Sequence, residues 1–248
     1  MRTSNPALNS KTFDPSRVGY GAGQMTIEGT VNRVGILLFL ILLSASFVWS
    51  RAISAWDPSE VMPLVGLGLI GGLVFAIATV LKPSWAPKTA PLYALTEGLF
   101  LGGVSALMER QFPGVVIQAV ALTFGTLFCL LAAYKTGLIR ATENFKLGIF
   151  AATGGIAMLY LVNIVLRMFG GGGIGFIHES GTYGIAFSVF VVAIAALNLV
   201  LDFDFIEQGA EHGAPKYMEW YGAFGLVVTL VWLYLEILRL LAKLQSRD

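Results

Sequence analysis

Four carboxylates lie inside long apolar runs of this chain: Glu97, Asp202, Asp204 and Glu236. An ionised side chain in hydrocarbon costs at least a few kcal/mol, so each is a functional candidate by default. Glu97 is the eighth residue of its run, in Tyr93-Ala-Leu-Thr-Glu-Gly-Leu99, and needs a buried partner or a proton. Asp202 and Asp204 stand in Leu199-Val-Leu-Asp-Phe-Asp-Phe-Ile206. Two residues turn a helix by about 200°, so only one of the two can face an interior. Asn198, four residues before Asp202, shares its face, which makes Asp202 the inward acid and turns Asp204 toward headgroups or a loop. Glu236 lies in Trp232-Leu-Tyr-Leu-Glu-Ile-Leu-Arg239, where Arg239 three residues on offers an intrahelical ion pair that accounts for both charges. If two or more of these acids converge away from water, they cannot all ionise cheaply. They then share a proton or hold a cation, and hard oxygen ligands suit Ca²⁺ better than soft metals. The chemistry expected is a pH-sensitive cation site, with Ca²⁺ or protons as its ligands.

The elements that would hold such a site are membrane helices. With 56% of 248 residues hydrophobic, 12% charged and a mean hydropathy of +0.75, the chain carries more apolar surface than a water-facing protein of this size can cover. Seven apolar runs, near 34–53, 62–81, 90–108, 114–134, 147–168, 183–206 and 221–244, are each long enough to cross about 30 Å of hydrocarbon. Lipid offers backbone amides no partner and the runs lack a two-residue alternation, so helices rather than barrel strands are expected. Asp57-Pro58, Lys82-Pro83, Pro87, Pro113-Gly114, the glycines from 170 and Pro215 mark the connections. None of these is long enough to separate domains, and no repeat is visible, so one bundle over 34–244 is expected. Residues 1–33 are polar and are expected to form a disordered or loosely held tail, with 245–248 a short carboxyl-terminal one. Gly68 and Gly72, and Gly98, Gly102 and Ala106, recur four apart, the spacing that lets helix backbones approach closely or a helix move.

With the amino terminus inside, ten of the sixteen Lys and Arg fall on the cytoplasmic side, which favours that orientation. A net charge of +1 leaves no basic field for nucleic acid. Cys129 cannot close an intramolecular disulfide and is expected to be a small buried hydrophobe. Intramembrane proteolysis does not fit. His178 and His212 lie in connections, away from Ser105 as a nucleophile, and the acids lack the Gly-x-Gly-Asp pattern of membrane aspartyl proteases. The orientation puts the two histidines on opposite sides of the membrane, so they do not make a metal pair. The glycines at 170–175 follow a membrane helix, not a strand, and lack Gly-Lys-Ser/Thr, so they are a flexible loop rather than a phosphate cradle. No enzyme activity and no resident cofactor are expected.

Two motifs near the carboxyl end resemble a known family. Asp202-Phe-Asp-Phe-Ile-Glu-Gln-Gly-Ala-Glu-His-Gly213 is similar to the acidic motif and Ala-Glu-His-Gly exit of the Bax inhibitor-1, or transmembrane Bax inhibitor motif, family. Leu233-Tyr-Leu-Glu-Ile-Leu-Arg-Leu-Leu241 resembles its last-helix motif, usually Leu-Tyr-Leu-Asp. The Glu97 motif and the seven segments extend the likeness over most of 34–244, toward the bacterial branch. The resemblance implies a seven-helix all-α membrane bundle with the last helix central. It also implies a carboxylate pair on helices six and seven, Asp202 and Glu236 here, that senses pH, gates a slow Ca²⁺ leak and can ligate Ca²⁺. Glu97, Asn198, Asp204 and Arg239 are then ion-path or secondary residues. The membrane implied is a bacterial cytoplasmic one. A non-conducting membrane protein that binds a protease or channel partner is the alternative such relatives allow.

The chain departs from the family pattern in two ways: glutamate replaces aspartate at 236, and thirty-four residues separate 202 from 236. With helix seven starting at Tyr221, Glu236 would lie about 22 Å inside and Asp202 only about 6 Å from its own helix end, too far apart to touch. The pair could meet if helix seven started nearer Gly225 and 207–222 formed an extended interfacial connection carrying Tyr217, Trp220 and Tyr221.

Overall fold

In the computed structural model, residues 23–54, 61–170, 174–175 and 181–246 are described. Seven helices among them are long and apolar enough to cross a membrane: α1 (Ile27–Ser54), α2 (Met62–Leu81), α3 (Ala86–Gln111), α4 (Val115–Lys135), α5 (Glu143–Met168), α6 (Thr182–Glu211) and α7 (Met218–Gln245). The last helix is the most enclosed. Half of its apolar window is buried, against 17% for α2 and α5. The large side chains left exposed on α2, such as Leu67, Ile70 and Leu73, are apolar, as a lipid-facing surface requires.

Most helices begin or end beyond the apolar runs, because capping threonines, prolines in the first turn and left-handed glycines set helix ends and hydropathy does not see them. α1 opens seven residues before Val34. Thr26 caps it, its Oγ1 accepting from the Gly29 amide at 3.0 Å, so Ile27–Arg33 is helix rather than tail. The polar residues of that stretch, Glu28 and Asn32 among them, lie on its first two turns. α3 starts at Ala86 because Pro87 sits in its first turn, where a missing N–H is harmless. Thr142 caps α5, accepting from the Phe145 amide at 3.3 Å. The carboxyl end, expected as tail from 245, carries α7 as far as Gln245.

The largest departure is at the α6–α7 connection. α6 runs on to Glu211 and ends on Gly213 at φ +65°, the left-handed stop that glycine tolerates. α7 begins at Met218, so only residues 212–217 connect the two helices and the extended interfacial segment expected over 207–222 does not form. Tyr221, expected at the headgroup belt, is 2% exposed and packs against Phe205 at 6.3 Å between ring centroids.

Residue contacts group the chain into two units, the first comprising Met1–Pro113 with Asp204–Val228 and the second Gly114–Phe203 with Thr229–Asp248. In the first unit α3 packs on both α1 and α2. The four-residue glycine spacing makes this approach: a Cβ on Gly68 of α2 would lie 2.5 Å from the Phe100 amide nitrogen of α3, and one on Gly102 would overlap the Ala45 carbonyl of α1. In the second unit α5, α6 and the later portion of α7 close on a core of Ile149, Ile156, Val191 and Ile194, with Tyr160, Phe187 and Trp232 against it.

Candidate functional site

The second unit holds both carboxylates singled out on helices six and seven, and the register of the two helices decides what each one meets. α6 and α7 run antiparallel. The Thr229 hydroxyl of α7 donates to the Asp202 carboxylate of α6. Fourteen residues along each helix in opposite directions, Lys243 Nζ donates to Ser188 Oγ at 2.9 Å and to the Gly184 carbonyl at 3.0 Å. By the same register the α6 residue level with Glu236 is Ala195, which is fully buried. Glu236 stands seven residues from Thr229, two turns or about 10 Å along α7. Neither carboxylate is a hydrogen-bond partner of the other, so a proton held directly between Asp202 and Glu236 does not belong to this arrangement.

Asp202 is buried, and its Oδ2 has no hydrogen-bond partner among the described residues. Asp204, half-buried in the first unit, is tied to its own helix, with Gln208 Nε2 donating to Oδ2 at 2.5 Å. Asn198, one turn from Asp202, donates to Thr153 Oγ1 of α5 at 2.9 Å and to the Ile194 carbonyl at 2.8 Å. The side chain of α6 one turn before Asp202 therefore leans on α5.

Glu236 is joined to Arg239. The guanidinium Nη1 lies 3.0 Å from both carboxylate oxygens, with the Glu236 side chain 3% exposed and that of Arg239 38%. The intrahelical pair that the three-residue spacing offers is thus formed. A third group completes it: Tyr160 of α5 donates its hydroxyl to Glu236 Oε1 at 3.1 Å and accepts from Arg239 Nη1 at 2.7 Å. The guanidinium also lies over the Tyr160 ring, 5.3 Å from its centroid. A cation and a hydroxyl thus meet the buried carboxylate, the partners that offset the cost of taking an acid out of water.

Glu97 belongs to the first unit, near the middle of α3. It is half-buried, and a Cβ on Gly72 of α2 would lie 2.6 Å from its Oε2. The small-residue seam that packs α2 on α3 is therefore also what leaves room for this acid. Tyr93, one turn earlier, is buried edge-on against Phe224 at 5.0 Å.

The strongest ionic cluster of the first unit has no counterpart among the expected site residues. Glu219, in the first turn of α7, is fully buried. Its Oε1 accepts from the Thr26 amide at 3.0 Å, from Thr26 Oγ1 at 2.8 Å and from Lys216 Nζ at 2.7 Å, while Arg33 Nε lies 3.1 Å from Oε2. Backbone contacts run alongside: the Met25 amide donates to the Ala214 carbonyl at 2.7 Å, and Gln24 bridges to Pro215. The start of α1 is thereby clasped to the start of α7. In sequence Glu219 reads as an ordinary acid near a helix start, and its partners Thr26 and Arg33, almost the whole chain away, leave no local signal.

Other expected residues take plainer places. Cys129 is exposed on α4 rather than buried, among apolar neighbours that face outward, such as Phe128. His212 is exposed, with Nδ1 2.7 Å from the Gln208 carbonyl. His178 and the glycines at 171–173 lie outside the described residues. Among the described residues no three His, Cys, Asp or Glu side chains converge as a metal ion would need. Two turns apart, Asp202 and Glu236 do not ligate one Ca²⁺ together in this arrangement, and either one as a ligand would require further oxygens from hydroxyls, carbonyls or water.

Against known proteins, no curated protein and no solved structure matches the chain. One family model does, over residues 5–246, and its description is Bax inhibitor 1 like.

Proposed function

The chain belongs to the Bax inhibitor 1 like family, and from that premise we propose that it is a slow, pH-sensitive leak for Ca²⁺ across its membrane, gated by Asp202 and Glu236. The observation that carries the proposal is Asp202 Oδ2, an enclosed carboxylate oxygen on a membrane helix without a hydrogen-bond partner among the described residues. Such an oxygen is the natural acceptor for a proton or a hard cation, because nothing else in its surroundings satisfies it. Glu236 differs, since Arg239 and Tyr160 already meet its charge. The two acids therefore divide the work. Asp202 takes up and releases the proton, and Glu236, joined to Arg239, is the partnered acid of the gate on α7.

Loss of the proton from Asp202 leaves a negative charge that, among the described residues, the Thr229 hydroxyl alone meets. Water and a cation entering between α6 and α7 relieve it, and the two helices separate. Leak then rises with pH. The ten-to-six distribution of Lys and Arg supports an amino terminus on the cytoplasmic side, and the likeness to prokaryotic members supports a bacterial cytoplasmic membrane.

The test is Ca²⁺ flux into proteoliposomes of the purified protein between about pH 6 and about pH 8, a range that brackets neutral pH. A leak above that of protein-free vesicles, rising with pH, supports the channel. Flux equal to protein-free vesicles throughout refutes it and leaves the non-conducting partner-binding protein as the reading.

A further inference from the structure

The Glu236–Arg239 pair lies on one helix, and an intrahelical pair cannot by itself resist the movement of that helix. Both residues travel with α7. What hydrogen-bonds the pair to α5 is the hydroxyl of Tyr160, which donates to Glu236 Oε1 at 3.1 Å and accepts from Arg239 Nη1 at 2.7 Å; the stacking of the guanidinium on the Tyr160 ring is a separate contact that loss of the hydroxyl leaves in place. Both bonds run from α5 to α7, and the one from Arg239, at 2.7 Å, has the short length of a charge-assisted hydrogen bond.

The ring is held independently of its hydroxyl. It stands edge-on to Phe187 of α6, with centroids 6.3 Å apart and planes at 86°, and it packs against the core around Ile156. Removing the oxygen therefore leaves the ring where it is. A second polar tie from α5 goes to α6, through Thr153 and Asn198, so α5 is bonded to α6 and α7 at different levels. Thr153 and Tyr160 are seven residues apart on α5 and share one face.

We infer that Tyr160 is a latch: its hydroxyl couples the Glu236–Arg239 pair to α5, and α7 moves away from α5 only when that coupling is broken. Tyr160 is a positioning residue, acting through Glu236. The charged groups around it are Glu236 and Arg239 on α7, with Lys243 one turn beyond Arg239. α6 presents Phe187 to it, and Asp202 lies on α6 at the level of Thr229, two turns from Glu236. The inference deepens the proposed leak and rests on it for the consequence in flux, though not for the coupling itself.

The test uses Tyr160→Phe with two readouts. In proteoliposomes the variant is expected to raise the leak at the acid end by about three- to eighteen-fold, the range that interhelical hydrogen bonds in membranes span, and so to flatten the pH profile. The second readout is independent of flux. Spin labels at Leu161→Cys on α5 and Leu244→Cys on α7, both exposed positions, in a Cys129→Ala background, report the α5–α7 distance in lipid. Tyr160→Phe is expected to broaden that distribution toward longer distances. If wild type leaks and Tyr160→Phe matches it in rate, pH profile and distance distribution, the latch is overturned and the leak stands. If no protein leaks but the distribution broadens, the latch stands and the leak reading falls. If there is neither leak nor broadening, both fall.

Discussion

Arg239→Gln removes the cation from Glu236 and leaves the carboxylate in place. The two halves of this pair differ in exposure, 3% for the Glu236 side chain and 38% for Arg239, and that difference sets the size of the effect. Breaking a fully buried pair from one side costs about 3–5 kcal/mol, and an exposed pair is worth about 0–1 kcal/mol. Solvent screens Arg239, so Arg239→Gln falls between these limits, at about 2 kcal/mol. Glu236→Gln strands only the guanidinium, which is more than a third exposed and keeps its bond to Tyr160, so its effect is about 1 kcal/mol or less. For a chain of this length about 1 kcal/mol corresponds to about 2–4 °C in Tm. Arg239→Gln is then expected to lower Tm by about 4–8 °C and Glu236→Gln by no more than about half of that, with the double variant closer to Glu236→Gln than to Arg239→Gln. Thermal unfolding in one detergent, followed by tryptophan fluorescence, measures all three. Equal losses in the two single variants, or a larger one for Glu236→Gln, refute the reasoning that the burial of the acid controls the pair.

Gly29→Ala places a Cβ on the Glu219 carboxylate and is expected to lower Tm by several degrees, whereas Gly35→Ala, with nothing within 4 Å, is expected to raise it slightly through helix propensity. The same melting experiment compares them. Thr229→Val keeps the shape of the side chain but removes the one hydroxyl that donates to Asp202. The pH profile of Ca²⁺ flux is expected to move while Tm changes by only a few degrees, since a hydrogen bond between membrane helices is worth about 0.6 kcal/mol on average. Cys129, exposed on α4 among apolar neighbours, is expected to stay unmodified by a charged maleimide in membranes and to be modified once the protein is unfolded in detergent, a contrast read by mass spectrometry.

The membrane class and the seven helices were legible in sequence because hydropathy over about twenty residues is a direct readout of what lipid demands. Helix ends were less so. Thr26 and Thr142 are ordinary polar residues in a window average, yet each starts a helix by accepting a backbone N–H, and Gly213 rather than a fall in hydropathy ends α6. That last point governed the site. With α6 extended to Glu211 and α7 opened at Met218, the register sets Asp202 against Thr229 and leaves Glu236 two turns away, a relation that motif spacing along the chain does not encode. The Arg239 partner of Glu236 was readable because a three-residue spacing is local. Tyr160 was not, because its meeting with Glu236 is decided by how α5 packs on α7. The clasp on Glu219 was hidden for the same reason, its partners coming from the other end of the chain.

The most direct test of the account is the ratio of initial Ca²⁺ uptake rates at about pH 8 and about pH 6 in vesicles holding Asp202→Asn, set beside wild type. An amide fills the space of the carboxyl and cannot exchange its proton, so the ratio is expected to fall from well above one in wild type to about one in the variant, with the fold intact by melting. A variant that keeps the wild-type ratio would show that the enclosed oxygen of Asp202 is not the group through which pH acts.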